Sequence, residues 1–136
     1  HQDSFKKLFQ KLKRLLKRSW SIDLTYRIKK INEVLRGWIN YYRFSDMKKF
    51  LGDRIGPWLR NAIRVIIWKQ WKVPNKQISS LIKLGIDEEQ AKGLTYCRRG
   101  YQFISHSCIV QRAITKARLK KRGLIDPLEY YLKPVA

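Results

Sequence analysis

The sequence is poor in acid. Ten Asp and Glu residues stand against 31 Lys and Arg in 136 residues, a formal net charge of +21. Self-repulsion on that scale works against a compact state unless a partner brings counter-charge. A polyphosphate is the natural partner, because neutralising phosphates releases condensed counterions and supplies most non-specific nucleic-acid affinity. An anionic membrane surface is the weaker competitor. No stretch approaches the roughly 18 consecutive apolar residues of a spanning helix, and no signal peptide is visible, so no membrane partner is expected.

Cysteine and histidine are equally scarce. Cys97 and Cys108 lie eleven apart, without a CxxC pair or a histidine at ligand spacing. Two reduced thiols in a cytosolic protein are expected, and neither a zinc site nor a disulfide framework. The histidines are His1, at the start, and His106, which has no Cys or carboxylate at a recognisable interval. No glycine-rich phosphate loop, HExxH or GxSxG occurs. The carboxylates are scattered apart from Asp87, Glu88 and Glu89. Those three read as the start of a helix, where the dipole favours negative charge. No catalytic residue, metal site or cofactor is therefore expected in this chain, which is not an enzyme on this reading. It starts without Met, and the expectation is a piece of a longer protein.

What the chain does have is helical periodicity, basic residues and aromatics, with apolar residues at 44%. Residues 4–18 place Phe5, Leu8, Phe9, Leu12, Leu15 and Leu16 on one face, and Lys7, Lys11, Arg14 and Arg18 on a complementary stripe. Ser21 or Asp23 is available to cap a second helix over residues 24–43, with Leu24, Ile28, Ile31, Leu35, Trp38 and Tyr42 as its seam. Ser45 or Asp46 opens a third helical region reaching Trp71, in which Gly56-Pro57 predicts a kink or break. Three amphipathic helices with short connections predict a helical bundle.

Lys72 to Gln77 form the best internal boundary, giving regions 1–72 and 73–136. In the second, short helices are expected over 76–84, closed by Gly85, and over about 88–95, capped by Asp87. Residues 96–107 read as a loop or short extended piece. Ser107 opens a helix reaching Arg122 and stopped by Gly123. Asp126-Pro127 supplies cap and first position of a last helix through Leu132. No strand pattern is convincing, so the fold class is all-α: a three-helix bundle followed by a small, mostly helical region.

Candidate contacts to phosphate are Lys7, Lys11, Arg14 and Arg18, then Arg36, then Arg98 and Arg99. The late helix adds Arg112, Lys116 and Lys120, spaced by four, and Lys121. Trp20, Tyr41 and Tyr101 are candidates for stacking on a base, although aromatics at helical spacing are usually core. One oddity is Leu35-Arg36-Gly37-Trp38, a glycine inside a helical run at a cost of about 1 kcal/mol relative to Ala. It is expected to let a backbone or a large ring come close, with Trp38 using the room.

Residues Ile31-Asn32, Arg36-Gly37-Trp38-Ile39-Asn40-Tyr41-Tyr42 and Trp68-Lys69-Gln70-Trp71-Lys72 resemble the maturase-specific region of bacterial group II intron reverse transcriptases. The Arg36-Gly37-Trp38…Asn40-Tyr41 core together with Trp68 and Trp71 carries most of that specificity. Residues 81–86, 98–107 and 122–131 resemble the small DNA-binding region that follows it in those proteins.

The resemblance implies that residues 1–72 form a polymerase thumb, also called domain X. Such a thumb binds intron RNA to assist splicing and grips the RNA/DNA primer-template duplex. Residues 73–136 would touch target DNA during retrotransposition. It also implies a bacterial cytoplasmic protein whose metal-binding polymerase aspartates, and hence Mg, lie in a region upstream of this chain. Where this chain has Gly100-Tyr101-Gln102-Phe103, the family often carries Gly-Tyr-Trp-Arg, so the Trp and Arg that would meet DNA are missing. Two alternatives to the family role follow from composition alone. One is an unselective basic nucleic-acid-binding module from a degenerate intron protein; the other is a helical protein-interaction domain whose basic faces are merely solvated.

Overall fold

The computed structural model describes residues 2–97 and 99–133, and among these every regular element is helical. The order is α1 (Gln2–Leu15), α2 (Leu24–Tyr41), a π-helical segment (Phe50–Ile55) running into α3 (Gly56–Gln70), α4 (Pro74–Lys83), α5 (Glu88–Thr95), α6 (Gly100–His106), α7 (Cys108–Ala113), α8 (Lys116–Lys121) and α9 (Pro127–Leu132). The all-α expectation therefore holds. Packing groups these elements into two compact units, Arg60–Arg118 and a unit made of both flanks, His1–Leu59 with Leu119–Ala136.

In the flanking unit, α1 packs on α2 and buries Leu8 and Leu12, with Leu16 buried just after its end; the buried seam of α2 includes Leu24, Ile28, Ile31, Leu35 and Ile39. Asp23 caps α2 by accepting from the Tyr26 amide at 3.3 Å. The expected disturbance at Gly56-Pro57 takes a definite form. Pro57 has no N–H to offer the carbonyl four residues back, and the preceding turn widens: the Gly56 amide donates to Leu51 O, five residues back. The chain thus stays helical through the proline.

The end of the sequence closes this unit. Asn32, buried on α2, donates from Nδ2 to Gly123 O at 2.7 Å and accepts at Oδ1 from the Ile125 amide at 3.1 Å. Helix α9 packs on α2 and on the π-helical segment. There Leu128 lies over Gly52 so closely that a Cβ on Gly52 would sit 3.0 Å from Leu128 Cδ2. Tyr131 donates its hydroxyl to Ser45 O at 2.7 Å.

The central unit contains most of α3, α4 to α7 and the first turn of α8. Helix α4 begins one residue after Val73, two residues earlier than the spacing predicts, with Pro74 as its first residue. Gly85 (φ +96°) closes it in a left-handed turn, with Gly85 N to Ile82 O and Ile86 N to Leu81 O bonds. That double bond with a buried Leu81–Ile86 pair is the Schellman arrangement.

Two expectations fail in this unit. The segment expected to be a loop contains α6, with Ile104 and Ser105 buried. The single helix expected from Ser107 to Arg122 is broken after Ala113. Ser107 does cap α7 through Ile109 N, but Ile114 leaves the helical region at φ −107°, ψ 80°. Two arginines take the carbonyls freed by the break. Arg64 Nε donates to Ile114 O at 2.8 Å, and Arg118 Nη1 donates to Ala113 O and to Leu84 O. Thr115 Oγ1 then accepts from Arg118 N and opens α8.

Candidate nucleic-acid interface

The basic stripe on α1 follows from the same spacing that makes its buried face. With Leu8 and Leu12 packed inward, Lys7, Lys11 and Arg14 fall along an exposed flank, and Lys6 and Lys13 line the other exposed side. The sole acid on this helix is Asp3, in its first turn. Arg18 does not extend the stripe: α1 ends at Leu15, and Arg18 stands in the turn that follows.

Beside this stripe runs an open groove of about 400 Å³ between α1 and α2. One wall carries Ser4, Lys7 and Lys11; the other carries Glu33, Gly37 and Tyr41, each four residues from the next. Tyr41 is 80% exposed, its ring edge-on to Tyr42 at 4.8 Å. Arg36, also exposed, precedes Gly37 on the same helix.

The expectation for Gly37 is overturned. A Cβ built on it would meet no atom within 4 Å, so no ring or backbone uses the gap. Trp38 lines the same groove and is half-buried among Phe5 (5.7 Å between centroids), Phe50 (5.8 Å) and Tyr42 (4.9 Å). Its Nε1 is buried without a hydrogen-bond partner.

Other motif residues hold the fold together. Asn40 shares a hydrogen bond with the Tyr130 hydroxyl at 3.0 Å, and Trp68 is buried against Trp71 at 6.0 Å. Among the remaining candidates, Lys120 is paired with Glu129 at 2.6 Å, which raises the lysine's pKa through the hydrogen bond first and the charge second. Lys121 is exposed.

In the central unit, Arg112 is exposed and bonds Gln90 Oε1 at 3.1 Å; Lys116 is exposed; Arg99 lies over the Phe103 ring at 5.0 Å. The break after Ala113 means that Arg112, Lys116 and Lys120 do not share one helix face. Arg98 lies outside the described residues. Tyr101 is exposed, whereas Trp20 is half-buried, with Arg27 over its ring at 5.1 Å.

Sequence reasoning did not separate the arginines that serve the fold. Arg27 is 2% exposed, and its Nη1 donates to Leu15 O (2.7 Å) and Lys17 O (3.0 Å) while Nη2 donates to Trp20 O. It thereby satisfies carbonyls at and beyond the C-terminus of α1, where positive charge is favoured. Burial lowers its pKa, as it does that of Arg64, where neighbouring Arg60 adds to the effect. Arg43 likewise donates to Tyr131 O at 3.3 Å and Lys133 O at 3.1 Å. The legible signal was position: Arg27 is three residues after Leu24 and one before Ile28, inside the apolar seam.

Among the described residues, no group of three or more His, Cys, Asp or Glu is placed to hold a metal ion, and no helix is long and apolar enough to cross a membrane. What the geometry defines is an all-helical protein with an exposed basic stripe beside an open groove. The sequence matches the group II intron, maturase-specific domain over residues 5–83, more than half of the chain, and the chain belongs to that family. The matched stretch spans α1 to α4. The domain is non-catalytic. No curated protein matches the sequence.

Proposed function

We propose that the chain is a nucleic-acid-binding part of a group II intron reverse transcriptase and maturase, gripping intron RNA to assist splicing and the primer-template duplex during cDNA synthesis. The observation that carries this reading is the α1 stripe of Lys7, Lys11 and Arg14: exposed, one-signed, and flanked by a groove whose one acid, Glu33, is paired with Lys30. Residues 73–136 are proposed as a second region that contacts target DNA, through Arg99 and Arg112 of the central unit. Bacterial, cytoplasmic origin and Mg held by an upstream polymerase region belong to the same reading.

The test is competitive binding of the chain to a structured group II intron RNA, against a length-matched unrelated RNA and duplex DNA, across a salt series. A preference for intron RNA that survives at about 0.15 M salt, where exposed charges are screened beyond about 8 Å, supports shape-specific recognition. Equal affinities that collapse together leave an unselective basic module; no binding leaves a protein-interaction domain. Changing Lys7, Lys11 and Arg14 to Gln is expected to flatten the slope of log K against log salt by about 2–3, since each neutralised phosphate contributes about 0.7–0.9. An unchanged slope removes α1 from the interface.

A further inference from the structure

Resting on that RNA-binding reading, we propose that the α1–α2 groove receives a single unpaired nucleotide of the bound RNA. Its base would lie against Tyr41, and its phosphate between Lys7 and Lys11. Three independent observations converge there. The first is charge: Lys7 and Lys11, one helical turn apart, line the same wall, and the one carboxylate opposite them, Glu33, is paired with Lys30 at 3.4 Å.

The second is the aromatic. Tyr41 lines the groove yet is 80% exposed, so one face of an otherwise costly exposed ring is available for stacking. Base–aromatic stacking tolerates any base, because each base has a π-face.

The third is Gly37. A glycine in the interior of an 18-residue helix weakens it, and here no neighbour needs the space. The position one turn before Tyr41 on the groove wall is open, and no packing neighbour requires that opening. A side chain at that position would stand in the groove, where a base would lie. A continuous duplex presents phosphates but no free base face, so it would use the lysines and leave Tyr41 and the opening at Gly37 without a role. That favours an unpaired nucleotide over a helical backbone as the occupant.

The experiment measures fluorescence anisotropy of the full chain with two labelled RNA hairpins of equal length, one fully paired and one carrying a single bulged nucleotide. The wild-type protein is expected to prefer the bulged hairpin by roughly tenfold, the lower part of what base–aromatic stacking supplies. Gly37→Gln fills the groove with a helix-favouring side chain. It is expected to abolish the preference, with an unchanged or higher melting temperature and an unchanged salt slope on the paired hairpin. Tyr41→Ala should abolish the preference and Tyr41→Trp should restore it.

Equal wild-type binding of the two hairpins overturns the inference and leaves the RNA-binding function standing. So does a full preference retained in Gly37→Gln. Binding to neither hairpin overturns the proposed function and this inference with it.

Discussion

Replacing Arg27 with Met tests whether this family member spends one of its many basic residues on architecture. The substitution keeps a long apolar stem but removes every donor. Three carbonyls, those of Leu15, Lys17 and Trp20, then lose a charged donor in a place where the side chain is 2% exposed, although Lys17 O keeps the Trp20 amide at 3.1 Å and Trp20 O keeps the Ile22 amide at 2.9 Å. A hydrogen bond to a charged group is worth about 1.5–3 kcal/mol net, so the three together set an upper range of about 4.5–9 kcal/mol. Part of that is offset because the mutant no longer desolvates a guanidinium, and the turn at residues 16–20 lies near enough to the surface for water to reach some carbonyls. A loss of about 3–4 kcal/mol is expected.

Against a typical total of about 5–15 kcal/mol, that loss lowers the melting temperature by roughly 10–15 °C. Arg27→Lys keeps the charge but offers donors from a single point rather than a fork, and should lose about half as much. The assay is urea and thermal unfolding followed by far-UV circular dichroism, in the presence of enough salt to suppress charge repulsion. If Arg27→Met melts within about 1 kcal/mol of the parent, the clamp does not hold α1, and the assignment of Arg27 to the fold is wrong.

Asn32→Ala removes both bonds to the 123–125 turn and should cost about 2 kcal/mol; urea midpoints read this, and an unchanged midpoint would mean that the turn is held by α9 alone. Trp38→Phe should be nearly neutral despite the residue's place in the family motif, because it keeps a ring among Phe5, Tyr42 and Phe50 and deletes a buried N–H that has no partner; a loss above about 2 kcal/mol in thermal melts would refute that. Gly37→Ala should raise stability by about 0.5–1 kcal/mol through helix propensity alone, and a lower melting temperature would show that something does approach it closely. High pH offers a further check: the ion pair raises the Lys120 pKa, so its small contribution is complete below the unfolded lysine's pKa and disappears as pH rises through the folded value. Lys120→Met should therefore lose a little stability at pH 7 and none at pH above the lysine range.

The elements bounded by chemical punctuation were readable from sequence. Asp23, Asp87 and Asp126 cap α2, α5 and α9, and Gly85 and Gly123 close turns at positive φ. Gly56-Pro57 announced a disturbance, although not that a π-helical turn would absorb it. Helix α6 was missed because its exposed residues Tyr101 and Phe103 are as hydrophobic as its buried Ile104, which blurs any amphipathic period. The break after Ala113 was missed because Arg112, Lys116 and Lys120 keep a helical spacing across it, and the β-branched pair Ile114-Thr115 disfavours a helix only mildly. What ends the helix is tertiary: Arg64, fifty residues earlier, claims the Ile114 carbonyl.

The candidate site was legible in part for a related reason. Amphipathic spacing located the exposed stripe of Lys7, Lys11 and Arg14. It did not separate arginines that face solvent from arginines that bind carbonyls, since both read as charge. The groove was invisible to it, because a groove is a relation between two helices rather than a pattern along one.

The unit closed by Asn32 has a consequence for how the protein is made. Residues 2–59 leave the ribosome before residues 60–118, but the turn that Asn32 grips and the helix that covers Gly52 are synthesised only after them. At about 5–20 residues per second, residues 60–118 take roughly 3–12 s to be added. Through that interval the α1–α2 hairpin exists as a nascent, half-covered basic arm beside the ribosome, its polar latch unmated. Completion of this unit is therefore timed by translation of residues 119–133, and any pause within residues 60–118 lengthens the exposure of the apolar face that α9 covers.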